Sequence, residues 1–596
     1  MEGLHTPYIV RLTSNMGKFA ILVKRHRLAI GFAILTTVIV AFPQIYFRVD
    51  QKEIYQGIEL LPDSPWSPRV REIQDDNTGF GSIYYKDGKG NPYLFQPLGS
   101  MTVGYMGRVF GLDINNTFLL SRFVLTFLSF ILIYAFVLVL SGDRLVAISG
   151  ALALLLADSV MSYYGIVEIF KGVSPDSFLR IARPVNPAMI YILFFGFLLS
   201  FWRFYRSKSW KDGILSVILL GLNFYNYFYS WTFIYAFGGV LVLVLAIQRK
   251  WREVLTLSYV FLGAILTLIP YAWNLYKASQ HPSYEEASMR FGVVLTHAPL
   301  FIGFVALCAL VVYVFSFPKE DKERYVFGLA LLLTPLVTMN QQIITGKVLQ
   351  AAHYHWFFHK PLAFIFVLVL AFYWVSKMGL DVYRKYLASA LIIGSIFTGV
   401  FIQTNSYLYD MQDGGEVLVE RQKYGPAIEW FNTYVERGSV VLANNEASHI
   451  TVIYTPLDLF YHRAGLYSLA ATKGRLLEQL FTFYRLRSVD ALDARELFFN
   501  ERAYISWNIY GMHYRELLGS YESIPDEEIE EIAALYKSTL SISMAKWLEQ
   551  VLSKYEVEYL VWDKVEDPLW RLNQYSFLKE VAVFGDLAIY SFKLRR

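Results

Sequence analysis

Across its N-terminal two-thirds the chain alternates between long apolar runs and short polar connections. A membrane-spanning helix needs about 20 mostly apolar residues. By that measure the pattern predicts eleven spans, at residues 28–47, 118–140, 145–163, 188–204, 214–229, 232–247, 254–273, 300–317, 325–339, 361–375 and 386–403. Only YFYSW separates the fifth from the sixth, which predicts a tight helical hairpin. Two polar stretches are too long to be turns: a first external loop, 48–117, and everything from about residue 404 onward. Loops of that length beside a helix bundle usually carry function. Within the first, NPYLFQPLGSMTVGYMGRVFGLDINNTF is amphipathic and punctuated by proline, as suits a helix lying flat on a membrane surface. The tail mixes helical periodicity (424–436, 474–486, 545–554) with the strand-like runs SVVLA, VEYLVW and LAIYSF, which predicts a small α/β domain. The expected fold class is an α-helical polytopic membrane protein with a C-terminal extracytoplasmic α/β domain. Its parts are a cytoplasmic segment 1–27, a transmembrane domain 28–403 and a soluble domain 404–596.

Composition supports a lipid environment. Hydrophobic residues make up 55% and charged residues only 17%, against about 25% charged in soluble domains. The net charge of +4 over 596 residues is too small for a nucleic-acid binder, which concentrates basic surface. Charge placement says more. If the N-terminus is cytoplasmic, the pieces on that side include KRHR, SGDR, RFYRSKSWK, QRKWRE, FPKEDKER and 377–385. They hold about 19 Lys and Arg, against about 7 in the opposite loops after the first, which is the positive-inside bias. An odd number of spans then leaves the C-terminal domain outside. The single cysteine, Cys308, allows no disulfide within the chain, and a cystine-free exported domain fits a prokaryotic plasma membrane. The basic stretch before the first apolar run predicts a retained signal anchor.

Chemistry-bearing residues gather in the external loops. Asp50 and Glu53 lie within a helical turn of the first span's end, where an acid can either serve a lipid-borne substrate or simply solvate the helix terminus. The second external loop offers Glu168, Asp176, Arg180 and Arg183. Arginine grips phosphate bidentately, so this loop suits a phosphate-and-acceptor site; Asp176 and Arg180 are equally spaced as a helical ion pair. A later loop carries Lys347, His353, His355 and His359. His355 and His359 would share a helix face, but no acidic ligand accompanies them, so hydrogen bonding to phosphate or sugar, or interfacial anchoring, fits better than zinc. No phosphate-binding P-loop, nucleophile elbow or dinucleotide fingerprint is present.

The order of parts resembles the polytopic GT-C glycosyltransferases, the superfamily of protein mannosyltransferases, oligosaccharyltransferases and lipid A aminoarabinose transferases. The resemblance covers 28–403 in topology and is best in PYLFQPLGSMTVGYMGRVFGLDINNTFLLSRF and RPVNPAMIYILFF. The tail segments YGPAIEWFNTYVERGSVVLANN and LKEVAVFGDLAIYSF are similar to the outer domains of such proteins. The resemblance implies inverting transfer of a sugar from a polyprenyl-phosphate donor to an extracytoplasmic glycan, lipid or protein acceptor. A first-loop acid would act in transfer, Asp50 with Glu53 as alternate, and Arg180, Arg183, Lys347, His353 and His355 would hold the donor. Glu168 or Asp176 would be the metal ligands if a divalent ion, Mg2+ or Mn2+, takes part. Two departures matter. The acids after the first span are spread as Asp50-Gln-Lys-Glu53, and the WWDYG sequence of oligosaccharyltransferases is absent, with Trp562-Asp563 no substitute. The competing readings are a flippase or transporter of a lipid-linked saccharide and a non-catalytic membrane scaffold. Nearly charge-free spans and the absence of a two-fold repeat speak against transport.

Overall fold

The computed structural model describes residues 6–59, 66–77, 79–174, 178–412, 415–490, 492–512 and 524–593, with the side chains of 6–20, 22 and 409–417 left aside. Each of the eleven predicted segments is a helix. They are α1 (Thr6–Asp50), then, after α2 (Ser67–Gln74) and α3 (Leu98–Phe110) in the first loop, α4 (Ile114–Ser141) and α5 (Arg144–Leu156). After the short α6 (Tyr163–Phe170) come α7 (Met189–Ser207), α8 (Trp210–Asn226), α9 (Phe228–Ile247) and α10 (Trp251–Ser279). The bundle closes with α11 (Phe304–Ser316), α12 (Lys322–Thr338), α13 (Lys360–Lys377) and α14 (Asp381–Gln412). Eight helical segments among the described residues are long and apolar enough to cross a bilayer; α5, α8 and α11 are shorter. Only Tyr227 separates α8 from α9, the expected hairpin.

Side-chain exposure shows what surrounds the bundle. On α10, Leu255, Tyr259, Leu262, Leu266, Ile269 and Trp273 recur every three or four residues and face outward, Leu266 being 71% exposed. So long an apolar stripe is a surface for lipid, not water. The chain is an integral membrane protein. By contrast α5 is buried along Val146–Leu156, so its brevity costs no lipid-exposed backbone.

Contacts between the helix connections sort them into two sets, one at each end of the bundle. At one end Arg206 meets Asp321 (2.7 Å), Arg384 meets Asp143, the Trp374 indole donates to Ser316 O (3.0 Å) and Arg324 donates to Leu140 O (3.1 Å). At the other, Tyr227 bonds His353, Gln96 donates to the Tyr271 hydroxyl (2.8 Å) and Asn274 donates to Tyr93 O (2.8 Å). The basic connections counted in the sequence fall together in the first set.

The C-terminal region packs on the second. Its five-stranded sheet has the order β4–β3–β5–β7–β6. Here β3 is Val440–Leu442, β4 Asp458–Leu459, β5 Val557–Asp563, β6 Leu578–Phe584 and β7 Leu587–Phe592; β1 (Val293–Leu295) and β2 (Lys347–Leu349) form a separate hairpin beside the bundle. Helices α15 (Gly425–Tyr434), α16 (Lys473–Leu486) and α17 (Met544–Lys554) match the three predicted ones. The first loop is built into this domain. Gln422 donates to Ile58 O (2.8 Å), Leu459 N donates to Tyr84 O (2.7 Å) along the outer edge of β4, and Arg475 meets Asp87 (2.5 Å). The loop therefore covers a sheet edge that would otherwise be open.

Candidate functional site

The site is assembled where three connections of the second set meet. Helix α5 stops at Leu156, and the chain turns through Asp158–Met161 into α6, whose N-cap Ser162 accepts from Gly165 N (3.1 Å). Gly165 is required by closeness: a Cβ there would come within 2.1 Å of Ser159 O. This turn sets Asp158 against Arg180, Nε to Oδ2 at 3.3 Å. Arg180 belongs to a strap running into α7 and fixed from below. Leu179 N donates to Gln403 Oε1 (3.0 Å), Gln403 Nε2 donates to Val40 O (2.9 Å), and the buried Arg122 donates to Ala182 O (2.9 Å). From the other side the wide turn His355–His359 delivers Trp356, whose ring lies 5.6 Å from the Arg180 guanidinium carbon. Asp158, Tyr164, Arg180, Tyr191, Trp356 and Lys360 line a cavity of about 90 Å³. Among the described lining residues two cations, Arg180 and Lys360, accompany one carboxylate, Asp158. A guanidinium already oriented by Asp158 and stacked on an indole has little freedom left to lose when it binds an anion.

The other expected residues are scattered around this centre. Arg183 lies within electrostatic reach of Tyr191 and Tyr227. His353 bonds the Tyr227 hydroxyl and packs on Tyr229 at 4.8 Å. His355 abuts Gly303, and His359 turns inward to the Thr338 hydroxyl (2.9 Å). Lys347 is exposed on β2. Glu168, on α6, pairs with Lys171 at 3.5 Å, and Asp176 lies outside the described residues. Among the described residues no three His, Cys, Asp or Glu side chains converge as metal ligands. Asp50, at the end of α1, accepts on Oδ2 from the Tyr407 hydroxyl and from Gln51 Nε2, both at 2.7 Å, and Glu53 is exposed on the turn beyond. Neither lines the Arg180 cavity. Trp562 and Asp563 are buried in β5, Asp563 accepting from Tyr424 (2.9 Å) and Lys423 (2.6 Å).

Two acids carry more structure than the sequence disclosed. Asp158 is signalled by its position in an apolar run, but its partner is 22 residues away. Glu59 is buried in the first loop and takes hydrogen bonds from Gln44, Arg48 and Tyr55, while Gln44 also receives Arg122. With both oxygens satisfied, Glu59 is a brace joining α1, the first loop and the Arg180 strap. Nothing in GIELL distinguishes it from a surface acid.

No family model matches the chain, and no curated protein does. Among solved structures it is similar to the oligosaccharyltransferase of Archaeoglobus fulgidus. Against the apo form the identity is 11%, with 91% of this chain and 70% of that one covered and a TM-score of 0.48. Against the same enzyme tethered by a disulfide to an acceptor peptide containing the NVT sequon, the identity is 12%, the coverage 91% and 69%, and the TM-score 0.45. At such identities no residue role passes from one chain to the other.

Proposed function

We propose that this protein is a membrane glycosyltransferase that moves a sugar from a polyprenyl-phosphate carrier to an acceptor outside the cytoplasm. The observation that carries the reading is the Arg180–Lys360 cavity. It brings an arginine oriented by Asp158 and a lysine together between aromatic walls at the rim of a lipid-facing bundle, on the same end as the folded C-terminal domain. A carrier lipid can keep its chain beside the bundle while its phosphate meets Arg180 and Lys360, with Arg183 nearby. In this reading an acceptor hydroxyl attacks the anomeric carbon as the bond to the phosphate oxygen breaks. The polyprenyl phosphate leaves with the electron pair, and the cations stabilise its charge as it develops. Asp50, with Glu53 as alternate, takes the hydroxyl proton. At 1.5 Å per residue Asp50 stands about 9 Å further along α1 than Gln44, the residue tied through Arg122 to the strap. The basic set of connections is then cytoplasmic.

Sugar transfer by purified protein, with Asp50→Asn and Glu168→Gln beside wild type at matched thermal stability, tests the roles of the acids. The reading expects turnover to collapse in Asp50→Asn alone, or in both variants if a metal joins the second acid. Unchanged turnover in Asp50→Asn would remove it as the base.

A further inference from the structure

A much larger cleft, about 1160 Å³, opens where the first loop meets the outer domain, beyond the ~300–1,000 Å³ usual for small-ligand pockets. One wall belongs to the first loop, with Glu72 of α2 and Lys89 just after the turn Lys86–Gly88; the other carries Trp430 and Tyr434 of α15, Asp458 of β4 and Tyr559 of β5.

Two parts of it differ in chemistry. Where the two walls meet, the Lys89 ammonium sits 2.7 Å from both Glu72 Oε1 and the buried Asp458 Oδ1, so one cation is shared by two carboxylates. Glu72 Oε2 is buried with no hydrogen-bond partner, an arrangement that folded proteins rarely leave standing. Burial pushes the Glu72 carboxyl up to about 7, against the pull of Lys89. On the wall, Trp430 packs with its centroid 5.8 Å from Tyr434 and 6.0 Å from Tyr559. Tyr434 is 70% exposed, a large ring offered to the cleft instead of to a core. Of the remaining charges, Lys86 pairs with Glu556 (2.8 Å), Arg437 with Asp75 (3.6 Å), and Ser439 donates to Glu558 (3.0 Å), while Glu436, Lys579 and Lys593 also line the cleft.

Flat aromatic faces beside fixed acceptors and donors, with the two signs of charge nearly balanced, match one ligand chemistry. A pyranose offers a face of C–H bonds, which meets the negative face of an aromatic ring, and a rim of hydroxyls that donate and accept. A polyanion or a charged peptide would meet charges of both signs here, cations and carboxylates in nearly equal number. We propose that this cleft is a saccharide-binding site holding uncharged pyranose units of a glycan, with Trp430 and Tyr434 as platform and Glu72 and Lys89 as hydroxyl partners. Its two walls are far apart in sequence and meet only because the loop beginning at Asp50 docks on the outer domain. That these units belong to a substrate of sugar transfer rests on the transferase reading; that the cleft binds saccharide does not.

The test is titration calorimetry on the full-length, detergent-purified protein with neutral trisaccharides: maltotriose, cellotriose, and α-linked mannotriose. Saturable binding is expected for at least one. Trp430→Ala and Tyr434→Ala, the latter at a ring that is 70% exposed, should each weaken it about tenfold. Absence of saturable binding by all three sugars would overturn the proposal. So would binding that survives both aromatic substitutions, or preference for a sulfated sugar or an acidic peptide. Binding that persists in a protein unable to transfer sugar would count against the transferase reading and not against this one.

Discussion

Arg180 is the residue on which the phosphate reading turns, and its neighbours define how it should fail. It is oriented by Asp158 at 3.3 Å and stacked on Trp356. Arg180→Ala should cut donor turnover roughly 10- to 150-fold, the equivalent of a charge-assisted hydrogen bond of ~1.5–3 kcal/mol. Arg180→Lys should recover little, because a point charge neither forks onto phosphate nor stacks as a guanidinium does; steady-state kinetics on both variants decides it. Glu72 gives a second prediction. Its carboxyl stands near 7 in the folded protein, above its ordinary value, so between about 4.5 and 7 the folded state binds more protons than the unfolded one. Its contribution to stability is present at low pH and is lost as pH rises through that window. Thermal melts should therefore show the Glu72→Gln variant gaining on wild type from pH 4.5 to 7.5; a constant difference would contradict the assignment. At this scale the sequence was only partly legible. Arg180, Arg183 and His353 could be singled out because charged and polar residues between apolar runs are conspicuous. The Asp158 partnership, the burial of Glu59 and the sharing of Lys89 are products of tertiary contact and leave no periodic trace.

Secondary-structure elements were read more fully, for a physical reason. Long apolar runs, the single-residue break between α8 and α9, and three of the five outer strands all follow from local periodicity. The two strands missed have none to offer: β4 is two residues long, and β6 (LKEVAVF) is exposed along most of its length, without clean alternation. The turn after α5 was read as the continuation of a span to residue 163, whereas the helix ends at Leu156 and the chain needs Gly165 to fold back over Ser159 O. Gly165→Ala should force that turn open, costing roughly 1–3 kcal/mol as overpacking does, and should displace Asp158 from Arg180. A lower melting temperature together with reduced donor turnover is the expected result. A variant that melts and turns over like wild type would show that the turn does not position Asp158.

The whole molecule has two unlike ends: one gathers the basic connections, the other is roofed by the outer domain and the first loop. In the orientation proposed above, which follows the positive-inside bias, the basic end would be cytoplasmic. With Cys308 replaced by serine, a cysteine at Tyr434 should react with a membrane-impermeant maleimide in intact cells. One at Lys319, on the exposed connection between α11 and α12, should not. The reverse pattern would invert the protein. The sequence exposed this asymmetry because charge bias is additive along the chain. It could not show that the first loop and the C-terminal domain form one body, since Gln422–Ile58 and Leu459–Tyr84 pair residues hundreds of positions apart. The central claim is that a polyprenyl-phosphate sugar is cleaved at the Arg180 edge. Its most direct test is release of polyprenyl phosphate from a panel of such donors by purified wild type and by Arg180→Ala of equal thermal stability. Release by wild type, cut at least tenfold in the variant, is the predicted result. Release that is indifferent to Arg180, or absent with every donor, would contradict the account.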